Sequence, residues 1–167
     1  MLLGLSKIID SPGASVSFST SVDLRDLCYG VSYPVTEPVR AEGIVRNTAG
    51  VLVMTGSIET TIHGTCDRCA EDFDRDIHFP IDVVLVTELS NEENEDEWVF
   101  PLEGDSADLD DIVRTVFVLN LDSKLLCKED CKALGHRCGK NLNGGPCNCQ
   151  KELDPRFAAF KQLLENK

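Results

Sequence analysis

The segment VLVMTGSIETTIHGTCDRCAEDFDRDIHFPIDVVLVT, Val51 to Thr87, carries the fold in its alternation. Its first arm, Val51 to His63, places Met54, Gly56, Ile58, Thr60 and Ile62 on one face at the period of a β-strand. The second arm, Phe73 to Thr87, puts Ile81, Val83 and Leu85 on one face and Val84 and Val86 on the other. Between the arms lies Cys66-Asp67-Arg68-Cys69, so a C-x-x-C pair sits in the turn joining two long strands. Such a pair offers two thiolates to a tetrahedral ion from one tight turn, and a second pair must arrive from elsewhere.

Upstream, Ala14 to Ser19 alternates with Val16 and Phe18 on one face, and Glu42 to Arg46 reads as a further strand. Asn47-Thr48-Ala49-Gly50 predicts a hairpin turn into Val51. Pro34 and Pro38 confine their stretch to an edge or an extended approach. Downstream, Glu88 to Glu97 holds six acids in ten residues and reads as a solvated loop, with an acidic lure for a basic partner as its functional alternative. Leu109, Ile112, Val113, Val116, Phe117 and Asn120 follow the helical period, predicting a helix over 107–121 capped by Asp105 or Ser106. Val118, Leu119 and Leu121 make that helix apolar round much of its circumference, as a central packing element would be. Asp154-Pro155-Arg156 predicts a second helix start, with Phe157, Phe160, Leu163 and Leu164 as an apolar face for the domain's own core. The expected fold is α+β: a twisted antiparallel sheet packed by one or two helices. Residues 1–122 form the β-rich part. Residues 123–167 form a cysteine-rich, zinc-stapled segment and helix folded back on it.

Seven of the eight cysteines fall in two clusters: Cys66 and Cys69, then Cys127, Cys131, Cys138, Cys147 and Cys149. With His136 they supply eight ligands, enough for two tetrahedral sites. Cys127 and Cys131 have an allowed ligand spacing and can join Cys66 and Cys69. Cys138, Cys147 and Cys149 can close a local site with His136 across the turn-rich loop Asn141 to Pro146. Thiol redox chemistry puts its C-x-x-C at a helix N-terminus, whereas this one joins strands. Iron–sulfur ligation uses the same thiolates, but the ferredoxin spacing is missing. A secreted disulfide scaffold conflicts with an N-terminus, Met1 to Lys7, that lacks the basic and apolar regions of a signal peptide. That points to the cytoplasm, and no run approaches the roughly 18 apolar residues that span a bilayer. Cys28 stands apart and reads as a small buried hydrophobe. His63 and His78 read as structural histidines, because thiolates already supply the ligands.

The formal net charge is −13, from 16 basic and 29 acidic residues. Phosphate-backbone binding needs a basic face, so this balance argues against a broad RNA-binding surface and favours a basic protein partner. No Ser/His/Asp grouping, phosphate-cradling loop or H-E-x-x-H motif supports catalysis.

Cys66-Asp67-Arg68-Cys69 with the β-rich stretch to Thr87 resembles the C-x-R-C element of the YceD family. So do the run Leu125 to Leu134, the run Cys138 to Asn143, Cys147-Asn148-Cys149 and Asp154-Pro155-Arg156. The resemblance covers residues 30–167 and is most specific in its second block. It implies a non-enzymatic bacterial or organellar protein, needed for accumulation of large-subunit (23S) ribosomal RNA. Genes of the family commonly neighbour that of a small basic large-subunit ribosomal protein. One departure stands out: cysteine-rich members carry a cysteine where this chain has Gly135. Two other readings remain: a zinc-dependent module that binds ribosomal RNA directly, and a thiol redox protein.

Overall fold

In the computed structural model, which describes residues 1–30, 32–87 and 98–149, the two alternating arms become one long hairpin. Strands β4 (Val51–Thr65) and β5 (Asp72–Val86) pair antiparallel from Leu52 opposite Leu85 to Thr65 opposite Asp72. Around them run β1 (Leu2–Gly4), helix α1 (Ser6–Ile9), β2 (Ser15–Val22), β3 (Val39–Thr48), β6 (Val99–Pro101), β7 (Ser106–Asp108) and helix α2 (Leu109–Asn120). The main sheet has the order β2-β3-β4-β5-β6, and β1 pairs with β7 in a small second sheet. The architecture is α+β. The acidic run 88–97 and the helix expected from Asp154 lie outside the described residues.

One edge corrects the expectation of a wholly antiparallel sheet. Strand β6 pairs parallel with β5, Val84 facing Val99. Three residues are too few for alternation to register, so the sequence pattern could not set this strand's presence or direction.

Met54, Ile58, Ile62, Ile81, Val83 and Leu85 are buried as their alternation predicts, and Leu52 and Ile77 join them in the core. Each buried aliphatic side chain contributes about 1.5–3 kcal/mol relative to exposure. The β3–β4 turn narrows to Ala49-Gly50, flanked by the pair Thr48 and Val51. Both turn residues have positive φ, 53° and 92°, as a two-residue hairpin loop of matching twist requires. Farther along, Gly43 faces Gly56 across β3 and β4. A Cβ on Gly43 would lie 2.7 Å from the Gly56 Cα, so the strands approach more closely than any side chain permits.

Asn47 is wholly buried. Its Nδ2 donates to the carbonyls of Ile8 and Ile9, each at 2.7 Å, and its Oδ1 accepts from the Gly50 N–H at 2.8 Å. The residue read as a turn former is therefore also a clasp between the hairpin and α1.

Helix α2 begins later than expected because Ser106–Asp108 is taken by β7. Its cap is Asp108, whose side chain accepts from the Asp110 N–H at 3.0 Å, rather than Asp105 or Ser106. Leu109, Ile112, Val113, Val116 and Phe117 are buried, and the Phe117 ring meets Phe79 edge to face at 5.7 Å. Asn120 turns back to donate to the Val116 carbonyl at 2.8 Å. Val118 and Leu119 are exposed, so α2 packs on one side instead of sitting centrally.

Candidate metal centre

The β4–β5 connection, Cys66 to Glu71, is a tight knuckle. The Cys66 N–H donates to the Glu71 carbonyl and the Ala70 N–H to the Cys66 carbonyl, both at 2.8 Å. Ala70 takes a φ of 56° to close it. This folding back directs both thiols of the pair to one point.

Four contacts bring the second pair there. The Tyr29 hydroxyl donates to the Asp122 carbonyl at 2.8 Å, and Arg75 pairs with the Asp122 carboxylate at 3.1 Å. The Asp67 N–H donates to the Leu125 carbonyl at 2.8 Å, and the Leu125 N–H returns to the Asp67 carboxylate at 2.7 Å. Leu125 itself is buried in the main core. The chain then delivers Cys127 and Cys131 onto the knuckle, with Phe73 and Leu126 packed beside them.

The four Sγ atoms of Cys66, Cys69, Cys127 and Cys131 lie within 4.8 Å of one another. Cys66 to Cys131 is 3.8 Å and Cys69 to Cys127 is 3.7 Å. A disulfide would need about 2.05 Å. A ZnS4 tetrahedron with bonds of about 2.3 Å has edges of about 3.8 Å. The geometry fits a metal and not a cross-link.

The electrostatics point the same way. Burial opposes ionisation of Cys66, but the N–H groups of Cys127, Cys69 and Arg68 outweigh it and bring the thiol down to about 6. Burial and the neighbouring thiols Cys66, Cys69 and Cys131 push Cys127 up to about 12. Cys131 is lowered, first by the Asn143 side chain and then by the Ala133 N–H. Cys69 is raised: burial and the Cys66 and Cys131 thiols outweigh the Glu71 N–H, the largest single influence, which favours its thiolate. One or two thiolates form readily and the others resist. A dication is what lets all four ionise together.

Asn143, read from sequence as part of a loop, supports this centre. Its Nδ2 donates to the Cys131 Sγ at 3.3 Å, and its Oδ1 accepts from the Lys132 N–H at 2.9 Å. Asn143 and Asp67 both act on the centre without being ligands. Nothing in their sequence context separates them from ordinary turn residues.

Cys138, Cys147 and Cys149 form a second, more exposed group within 4.8 Å. The structure does not bring His136 into it; the residue is exposed. The reason lies in the turn. The Gly135 N–H donates to the Lys140 carbonyl and the Gly139 N–H to the Gly135 carbonyl, both at 2.8 Å. This repeats the pattern of Cys66 to Glu71, with Gly135 in the place of Cys66 and Cys138 in the place of Cys69. The cysteine positions of such a turn are its first and fourth residues, and His136 is the second.

Cys28 is exposed, with its Sγ 3.5 Å from the Gly30 carbonyl, which corrects its reading as a buried hydrophobe. It lies outside any strand, where no alternation fixes a side chain's direction. His63 and His78 stand apart from both cysteine groups. They pair across the hairpin with Asp74 at 2.6 Å and Glu59 at 3.3 Å.

A family model described as large ribosomal RNA subunit accumulation protein YceD matches residues 54–164, more than half of the chain. A relative from Arabidopsis thaliana, "Large ribosomal RNA subunit accumulation protein YCED homolog 1, chloroplastic", is 25% identical, covering 98% of this chain and 59% of its own length. Uncharacterized proteins of Mycobacterium tuberculosis and Mycobacterium bovis are 28% identical over 69% of this chain and 56% of theirs. The chain thus spans somewhat more than half the length of these curated relatives. No solved structure matches it. With the matched residues spanning β5, α2 and both cysteine groups, the chain belongs to the YceD family, described as large ribosomal RNA subunit accumulation proteins.

Proposed function

We propose that this protein is a non-catalytic factor in large ribosomal subunit biogenesis, needed for accumulation of the subunit's RNA and held in shape by structural zinc at Cys66, Cys69, Cys127 and Cys131. The family match supports the role. The observation that supports the zinc is the convergence of four thiols at tetrahedral spacing from two distant segments. The ion would supply no chemistry beyond cross-linking: four protein ligands leave no position for substrate.

Its partner is a basic protein of the large subunit, met in the cytoplasm. The net charge of −13 favours such an encounter. Arg25, Arg75 and Arg114 are each ion-paired with an aspartate, which further weakens any claim on phosphates. None of the described helices is long and apolar enough to cross a membrane. Direct binding of ribosomal RNA is the competing reading.

Depletion of the protein should lower the ratio of large- to small-subunit RNA, and a Cys66→Ser, Cys69→Ser variant should fail to restore it. Binding kinetics against purified basic large-subunit proteins and against naked ribosomal RNA fragments separate the two partners. Salt-sensitive association with a protein supports the proposal. Tight binding of RNA with no protein bound transfers the function to direct RNA recognition.

A further inference from the structure

We propose that Cys138, Cys147 and Cys149 hold a second zinc ion through three thiolates, leaving its fourth position to a nitrogen or sulfur donor from outside the chain. The two knuckles share one backbone design. Cys66 to Glu71 and Gly135 to Lys140 share the same pair of backbone hydrogen bonds, and their fifth residues, Ala70 and Gly139, share a left-handed φ of 56° and 65°. The backbone of a two-thiol turn is therefore complete at Gly135, and only the first thiol is missing.

The missing group has a definite place. A Cβ on Gly135 would stand 3.1 Å from the Cys138 Sγ and 3.7 Å from Leu142 Cδ2, on the side of the thiol cluster. A cysteine there would carry its sulfur beside that of Cys138, one of the three grouped thiols. With glycine, no described residue supplies that corner of the tetrahedron, and His136 is not part of the group. The setting also differs from the first centre. Cys66, Cys69 and Cys131 are buried, whereas Cys138 and Cys149 are exposed. A concavity of about 360 Å³ lined by Lys132, Leu142, Pro146 and Cys147 adjoins the group.

Three protein ligands and one exchangeable position are the arrangement of an open zinc site, which binds water at rest and exchanges it for a better donor. The donor class that suits zinc beside thiolates is imidazole or thiolate, as a histidine or cysteine side chain of a docking protein would provide. The first centre would then shape the fold, while the second offers a coordination bond to a partner.

The test uses the reduced full chain loaded with Co(II), whose visible ligand-field bands report coordination. The wild type should take up two equivalents. Cys138→Ser and Cys149→Ser should each lose one and leave the first centre filled, while His136→Ala should lose none. Adding imidazole or a small thiol should shift the bands of the wild type. In Gly135→Cys, where the fourth position is closed from within, the same additions should leave the spectrum unchanged. One equivalent in the wild type overturns the second centre. Loss of an equivalent in His136→Ala, or a wild-type spectrum indifferent to both additives, overturns the open position.

Discussion

Replacing Cys127 and Cys131 together with serine removes half the ligands of the first centre while leaving the β4–β5 knuckle intact. The effect on stability follows from the chain connectivity. Cys69 and Cys127 are 58 positions apart in sequence, so a metal held between them closes a loop of that length in the unfolded chain. Loop-closure entropy for such a loop amounts to about 4 kcal/mol at room temperature. The doubly substituted protein should therefore unfold with about 4 kcal/mol less free energy than the metal-loaded wild type, read from urea-induced unfolding followed by circular dichroism. Chelator treatment should bring the wild type to nearly the same value. It should then have only the smaller effect of the second centre on the variant, because the loop is already open. A variant within about 1 kcal/mol of the loaded wild type would refute the staple as a source of stability.

Asn47→Ala should cost about 3 kcal/mol, since it deletes three hydrogen bonds and leaves the Ile8 and Ile9 carbonyls without their buried partner; calorimetric unfolding measures it. Gly43→Ala should cost about 1–3 kcal/mol by forcing a methyl against the Gly56 Cα, and an unchanged urea midpoint would contradict the close approach of β3 and β4. Metal uptake by the first centre near neutral pH should release protons from Cys69 and Cys127, the two thiols held above their ordinary range. Affinity must then rise with pH, and its dependence should steepen below about 6, where Cys66 is protonated in the metal-free form as well. Competition with a chromogenic chelator at several pH values reads the slope, and a flat profile would count against thiolate ligation.

The long hairpin was legible because alternation over Val51–Thr65 and Asp72–Val86 is sustained enough to fix both strand and face. The convergence of Cys66, Cys69, Cys127 and Cys131 is legible because paired-cysteine spacing is a local property that survives in sequence. What escaped had no local signature. The parallel edge strand Val99–Pro101 depends on a partner chosen by the whole fold. The Ser106–Asp108 strand delays α2 because Leu2–Gly4 pairs with it from the far end of the chain. Val118 and Leu119 widen the helix's apolar surface beyond its period, yet they lie exposed because the helix packs on one side. His136 looked like a ligand by proximity. Position within the knuckle, and not nearness in sequence, decides which residue joins the thiol group.

X-ray absorption at the zinc edge on purified, reduced protein tests the central claim most directly. The account predicts bound zinc with a sulfur shell at about 2.3 Å, and loss of the all-sulfur site when any of Cys66, Cys69, Cys127 or Cys131 is replaced by serine. Fully folded protein that carries no metal and has free thiols at these four positions would contradict it.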